Sequence, residues 1–297
     1  MNKNVNMIFG GFANQFDVWV DILNLIENHH YIMRDDVKIR ALFDNFGACT
    51  WNGGGYNFKK LFTYGEVQRI SNYFNDRNIP IRLTMTNPMV EKRDLYDRYA
   101  NMILSTCESD NNEVLVATDL MEDFIRSAYP KYKICRSIIK SEVEPCDVSN
   151  RYEMSVLRRK YNNNFEFLES IPENKRHKVE VLCNESCVED CPRAYEHYRV
   201  HGIEQLNFCP NFHGKNSNCT MTHGRTLFRK HDLLDRYSYI SPELIREKYI
   251  PLGYSNFKIA GRNNPVTLVE EFARYAIKPE YQEDFRCIIL TPFCEVK

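Results

Sequence analysis

The sequence predicts a (β/α)8 TIM-type barrel with a long Cys/His-rich insertion between the last two strands. Two observations carry that expectation. Short β-rich runs alternate with longer helical stretches along nearly the whole chain, the pattern of βα units around a parallel sheet, and the candidate strands number eight. Size agrees: 297 residues, 43% of them hydrophobic, are enough for one barrel with a buried core. The chain 1–297 is therefore read as a single barrel domain, with 184–256 as a metal-binding insertion at its mouth.

Taken in order, the strands are expected at 6–9, 37–44, 81–86, 113–118, 132–137, 164–168, 178–183 and 257–259, each a short β-branched or aromatic run bounded by turn residues. Between them helices are expected at 16–28, 64–76, 91–108, 121–128, 151–161 and, after the last strand, 265–276. In the second of these, Val67, Ile70 and Phe74 have the three-to-four spacing of one buried face. The stretch 192–256 is too long for a simple βα connection, and a long insertion beside an ordinary scaffold is more often functional than accidental.

Lys and Arg total 39 against 40 Asp and Glu, a formal charge of −1. No overall field gathers nucleic acid by counterion release, so charge does not support a nucleic-acid partner. The opening segment lacks a basic region followed by a long apolar run, and no later stretch reaches the ~18 apolar residues of a membrane span. A soluble, cytoplasmic protein is expected.

The chain has 11 cysteines, an odd number that rules out complete intramolecular pairing. Cys183, Cys187, Cys191, Cys209 and Cys219 crowd one segment with His197, His201 and His213, whereas the other six are scattered. Scattered cysteines are usually small buried hydrophobes, and clustered ones usually hold something. Thiolates at three-residue gaps on a turn, completed from a distant loop, suit a 4Fe–4S cluster, which takes one thiolate per iron. A soft, thiolate-rich site also suits zinc. The expected ligands are Cys183, Cys187, Cys191 and Cys209, with Cys49 or Cys219 as alternatives to Cys183, which ends a strand and has an equally good place in the core. The C-x3-C-x3-C spacing misses the C-x3-C-x2-C of radical S-adenosylmethionine enzymes by one residue.

In a barrel of this kind the segments just after the strands form the catalytic face. Trp51-Asn-Gly-Gly-Gly-Tyr56 matches no nucleotide-binding motif and is read as a flexible mouth loop whose Trp51 and Tyr56 cover a substrate. Asp119, Glu122, Glu169 and Glu185 are placed for proton transfer, and Arg136 or Arg262 for holding an anionic group. Glu185 lies inside the Cys motif and Arg262 closes the last strand, so these two are preferred. His197 and His201, four apart, project from one helix face, read as an ordinary exposed face. Arg158-Arg159-Lys160 is read as a solvated helix face.

The run Asn184-Glu185-x-Cys187-x3-Cys191-Pro192-Arg193 with His197-Tyr198, then Cys209-Pro210 and a late strand reading Phe257-Lys258-Ile259-Ala260-Gly261-Arg262, resembles the U32 peptidase-like family over most of the chain. Members are described as collagenase-like peptidases, and some relatives are iron–sulfur proteins serving oxygen-independent hydroxylation of RNA bases or ubiquinone precursors. The resemblance implies a four-Cys cluster that includes Cys187, Cys191 and Cys209, with Lys258 and Arg262 at the mouth. The family's His-Gly-Ala-x-Cys and Ser-Gly-x-Cys blocks are absent, and Ala260 stands where Glu is common.

The leading functional expectation is an iron–sulfur enzyme acting on a small or nucleoside-like substrate in a hydroxylation-type modification, with Glu185, Arg262 and Lys258 as catalytic residues and an electron donor or other partner protein. The alternatives are a zinc-dependent hydrolase, with Glu185 beside an open zinc position, and a non-catalytic partner protein in which the metal staples the insertion.

Overall fold

The computed structural model describes residues 4–53, 60–140, 144–185, 191–209, 238–261 and 264–294. Among them, eight parallel strands close in sequence order into a (β/α)8 barrel, with β1 hydrogen-bonded to both β2 and β8. The strands are β1 Val5–Gly10, β2 Val37–Asp44, β3 Ile81–Met85, β4 Glu113–Val116, β5 Lys133–Arg136, β6 Met154–Val156, β7 Val179–Leu182 and β8 Asn256–Ile259.

The helices are α1 Phe16–Asn28, α2 Tyr64–Asn75, α3 Arg98–Cys107, α4 Asp119–Ala128, α5 Phe165–Ser170, α6 Ala194–Leu206, α7 Pro242–Leu244 (continued as a π-turn, Ile245–Tyr249), α8 Pro265–Ala276 and α9 Gln282–Cys294. Side-chain caps mark the starts of several of them. Thr63 and Glu66 form a reciprocal capping box on α2. Asn264 caps α8, whose first residue is Pro265. No helix among the described residues is long and apolar enough to cross a membrane.

Side chains alternate between the two faces of each strand, and the faces differ in chemistry. Leu83, Val114, Val181 and Phe257 point outward into the core shared with the helices. Phe9 of β1, Trp19 of α1 and Phe272 of α8 pack there ring against ring, and Trp19 Nε1 donates to the Gly10 carbonyl at 3.1 Å. The inner face is polar in its middle layer, where Arg82, Glu113 and Glu180 are fully buried. Leu115, Cys135, Met154 and Val156 form a small apolar cluster on the same face, with Cys135 and Met154 against Glu113 and Arg82.

Three expected elements differ in the structure. Strand β6 is Met154–Val156, inside the stretch expected to be helical, and the expected strand at 164–168 is instead the start of α5. Phe165, Phe167 and Leu168 imitate a half-buried strand, but the Asn164 side chain accepts from the Phe167 N–H at 3.0 Å and starts a helix. Three residues are too few for β6 to show a period of its own. The helix expected at 91–108 is broken at Asp97, which leaves a 3-10 turn, Lys92–Tyr96, and caps α3 through Tyr99 and Ala100 N–H.

Candidate functional site

The inner residues at the carboxyl ends of the strands enclose a cavity of about 460 Å³. Its walls are Phe43 of β2, Thr84 and Thr86 at β3, Leu115 of β4, Val156 of β6, Leu182 of β7 and Lys258 of β8. Ser137, Ile138 and Ile139 follow β5 and complete the wall, while Ala260, Gly261, Asn264 and Thr267 lead into α8. This is the face on which (β/α)8 enzymes carry their active sites.

Helix α6 roofs the cavity with Ala194, His197, Tyr198 and His201. The docking is tight and polar. The Asn87 Nδ2 donates to the carbonyls of Thr50 and Gly202, at 2.8 and 3.0 Å, and so ties the β2 loop, the β3 loop and the roof together. A Cβ at Gly202 would overlap the Asn87 side-chain oxygen, so only glycine allows the helix so close. One turn on, Gln205 Nε2 donates to the Cys49 carbonyl at 2.9 Å, and at the other side Arg159 Nη1 donates to the Tyr198 hydroxyl at 3.2 Å.

Burial, with the Arg193 and Arg159 charges nearby, holds His197 below its ordinary value. Burial and then His197 push His201 down to about 4. Both imidazoles are therefore neutral at pH 7, and His197 Nε2 is buried with no hydrogen-bond partner. The Glu204 carboxylate is fully buried 4.0 Å from His201 Nδ1, and neither of its oxygens is hydrogen-bonded.

Beneath the floor, charges alternate along the barrel interior. Arg40 pairs with Glu113 at 2.6 Å, Glu113 with Arg82 at 2.7 Å, Arg82 with Glu180, and Glu180 with Lys258 at 3.4 Å. Strands β3 and β7 are opposite each other in the ring, so Arg82 crosses the barrel axis to reach Glu180. Burial opposes ionisation of Glu180 and Glu113, but the adjoining cations hold both carboxyls below the usual range. Lys258 Nζ also sits 4.1 Å from the Phe43 ring centre, a cation–π contact.

Of the residues expected to act, Glu185 and Lys258 line this cavity together. Arg262 lies outside the described residues, although Ala260 and Gly261 before it are at the cavity wall. Asn184 joins the two strand ends, donating to the Ala260 carbonyl at 2.9 Å and accepting from its N–H at 2.7 Å.

The cysteines are arranged differently from the expectation. Leu182 lines the cavity and its neighbour Cys183 points the other way, fully buried in the outer core. Burial, with Glu271 and Glu180 nearby, raises its thiol. Cys191 precedes α6 and Cys209 follows it, so 13 helical residues, about 20 Å at 1.5 Å each, stand between them. Cys187 and Cys219 lie outside the described residues, as does His213. Among the described residues no three His, Cys, Asp or Glu side chains gather in metal-binding reach. Cys183 thus faces the outer core, while Cys191 and Cys209 stand at opposite ends of α6. Cys49 is buried, with its thiol pushed up to about 12 by burial.

Trp51 does not cover the cavity. It is fully buried, donating from Nε1 to the Asp94 carbonyl at 3.0 Å and packing edge-on against Phe124, while Tyr56 lies outside the described residues. Arg136 is held by the Lys140 carbonyl and Glu144, each at 3.2 Å. Glu122 is buried among Arg126, Arg151, Lys140 and Tyr152, and Asp119 and Glu169 are on the helical exterior.

Three residues of the site were misread from sequence. Arg159 is buried at the cavity, not on a solvated face, and His197 and His201 line the roof instead of an exposed helix. The signal was muted because the inward face of α6 carries His197, Tyr198, His201, Glu204 and Gln205, so an apolar period marks nothing. The Gly202 inside that helix was the available clue, since a glycine in a helix interior often has a packing reason.

No protein-family model matches the chain, and no curated protein does. Among solved structures it is similar to the U32 peptidase Mk0906, at 12% identity over 86% of this chain and 93% of that one, with a TM-score of 0.46.

Proposed function

We propose that the chain is an enzyme acting on a small or nucleoside-like molecule held in the barrel mouth beneath α6. The observation that supports this best is the convergence of Lys258, Glu185, Arg159 and His197 on one cavity of about 460 Å³. That volume lies in the ~300–1,000 Å³ range of small-molecule sites, and a few polar groups among Leu115, Val156 and Leu182 are the usual composition. In this reading His197, neutral with a partnerless Nε2, accepts a proton from bound substrate, and the Glu185 carboxylate is the second proton-transfer group. Lys258, fixed by Glu180, supplies a charge of constant position. Arg262 would complete the rim next to Gly261.

A thiolate-held metal is the second reading, favoured by the crowding of Cys187, Cys191, Cys209 and Cys219 around α6 in the sequence. An iron–sulfur centre or zinc there would draw its ligands without Cys183, and no step proposed for the cavity depends on it.

The test is methyl-detected NMR of the full chain, titrated with a library of small metabolites and nucleosides. Ligands are expected to shift the methyls of Leu115, Ile139, Val156 and Leu182. A library that moves only methyls outside the barrel mouth contradicts the proposal.

A further inference from the structure

We infer that Glu204 is a positioning residue, which holds the proton of His201 on Nδ1 and so presents an unprotonated Nε2 to the mouth cavity. The inference rests on the reading of that cavity as the functional site and adds His201 to it as a second acceptor beside His197.

The starting observation is a carboxylate that the fold leaves unsatisfied. Glu204 is 0% exposed, and neither of its oxygens is hydrogen-bonded. Buried carboxylates ordinarily collect donors, because an unbonded one bears its full desolvation cost. An apolar residue of like volume would fill the same space at less cost, so the carboxylate needs a reason of its own. Among the described residues its one ion-pair contact is His201, with Oε2 4.0 Å from Nδ1. That is about 1 Å longer than a hydrogen bond. Contacts of this kind in ligand-free sites are often long and tighten when the ligand arrives.

The helix brings the pair together. Side chains of a helix tilt toward its N-terminus, and residues three and four apart share a face. Glu204 therefore leans back over the turn that carries His201. His201 leans in turn over the one that carries His197, and the two ring centres are 6.4 Å apart. The three side chains form a row along α6, in which His197 and His201 line the cavity and Glu204 stands behind them. Gly202 and Gln205 fix this part of the helix to Asn87 and to the Cys49 carbonyl.

The chemistry follows from which nitrogen faces which group. In a neutral imidazole one nitrogen donates and the other accepts, and the hydrogen bond made by one decides the role of the other. A carboxylate accepts, so the nitrogen opposite Glu204 carries the proton. Nε2, away from Glu204, then keeps its lone pair for a ligand N–H or O–H. Because burial and His197 hold His201 at about 4, the ring is neutral at pH 7 and acts as an acceptor instead of a cation.

The test reads the tautomer in the full chain, by long-range proton–nitrogen correlation of isotope-labelled histidine rings, with His201→Gln assigning the His201 signals. In ligand-free wild type at pH 7, Nδ1 of His201 is expected in the protonated range and Nε2 in the unprotonated range. Glu204→Met and Glu204→Leu remove no hydrogen bond and fill the space with apolar atoms. Each should shift the Nδ1 resonance toward the unprotonated range while 194–206 stays helical. An Nε2-protonated ring in wild type, or one tautomer shared by wild type and both variants, would overturn the inference. Unfolding of both variants would overturn it as well, by making Glu204 a structural residue. The same proteins, methyl-labelled, are titrated with the library of small metabolites and nucleosides. Mouth methyls that stay still in wild type remove the functional reading, and the tautomer decides the role of Glu204 separately.

Discussion

At the scale of single residues, Glu180 is the group on which the site's charge depends. It is fully buried between Arg82 and Lys258. Glu180→Gln keeps the shape and removes the counter-charge from both, and breaking a buried pair on one side costs roughly 3–5 kcal/mol. Urea unfolding should show a loss of that order, whereas Glu185→Gln, at a half-buried wall position, should leave stability near wild type and slow turnover instead. Equal stability losses from the two would make Glu185 part of the scaffold.

Glu122 gives a pH signature. Burial disfavours its charge, but hydrogen bonds from Arg151, Tyr152 and Arg126 hold it at about 2, below its ordinary 4.5. A depressed carboxyl stabilises the fold above its unfolded value, and that contribution is lost as pH falls from about 4.5 toward about 2. Thermal melts across that window should fall less steeply for Glu122→Gln than for wild type. At this scale the sequence pointed to Glu185 from its place after a strand and to Lys258 from the family resemblance, and both line the cavity. It did not disclose Arg159, since its neighbours Arg158 and Lys160 make the run look solvated and burial depends on a strand, β6, only three residues long.

At the scale of elements, α6 is the part that converts an open barrel end into a cavity. Its hold on the rim consists of Asn87, Gln205 and Arg159 hydrogen bonds and the close approach at Gly202. Gly202→Val should push the helix off the β3 loop. Hydrogen exchange in 194–206 is then expected to rise with little change in β1–β4, and ligand affinity to fall by about tenfold or more. Exchange unchanged in α6 would show that the rim adjusts without moving the helix. Most strands were legible from short β-rich runs between turn residues, and α1 and α8 as the helical stretches that follow β1 and β8. The inward face of α6 is polar, so its placement depends on tertiary contacts that local pattern does not record, and α5 imitates a strand although the local cap at Asn164 starts it as a helix.

At the scale of the whole molecule, the barrel followed from the alternation of β-rich runs with helices, and seven of the eight expected runs are strands of it. A helix of 13 residues between Cys191 and Cys209 turns a compact sequence cluster into two separated thiols. Anaerobically purified protein should therefore lose bound iron or zinc on at most one of Cys191→Ser and Cys209→Ser. Strong loss from both would mean that α6 reorganises around a metal.

If function resides in the cavity beneath α6, filling that cavity removes it. Ala260 is at the cavity wall, and its backbone, not its side chain, makes the contacts to Asn184. The measurement is the dissociation constant of the tightest mouth-binding ligand for wild type and for Ala260→Trp, with both proteins folded by thermal melt. Ala260→Trp is expected to abolish saturable binding. Unchanged affinity in the folded variant would contradict it.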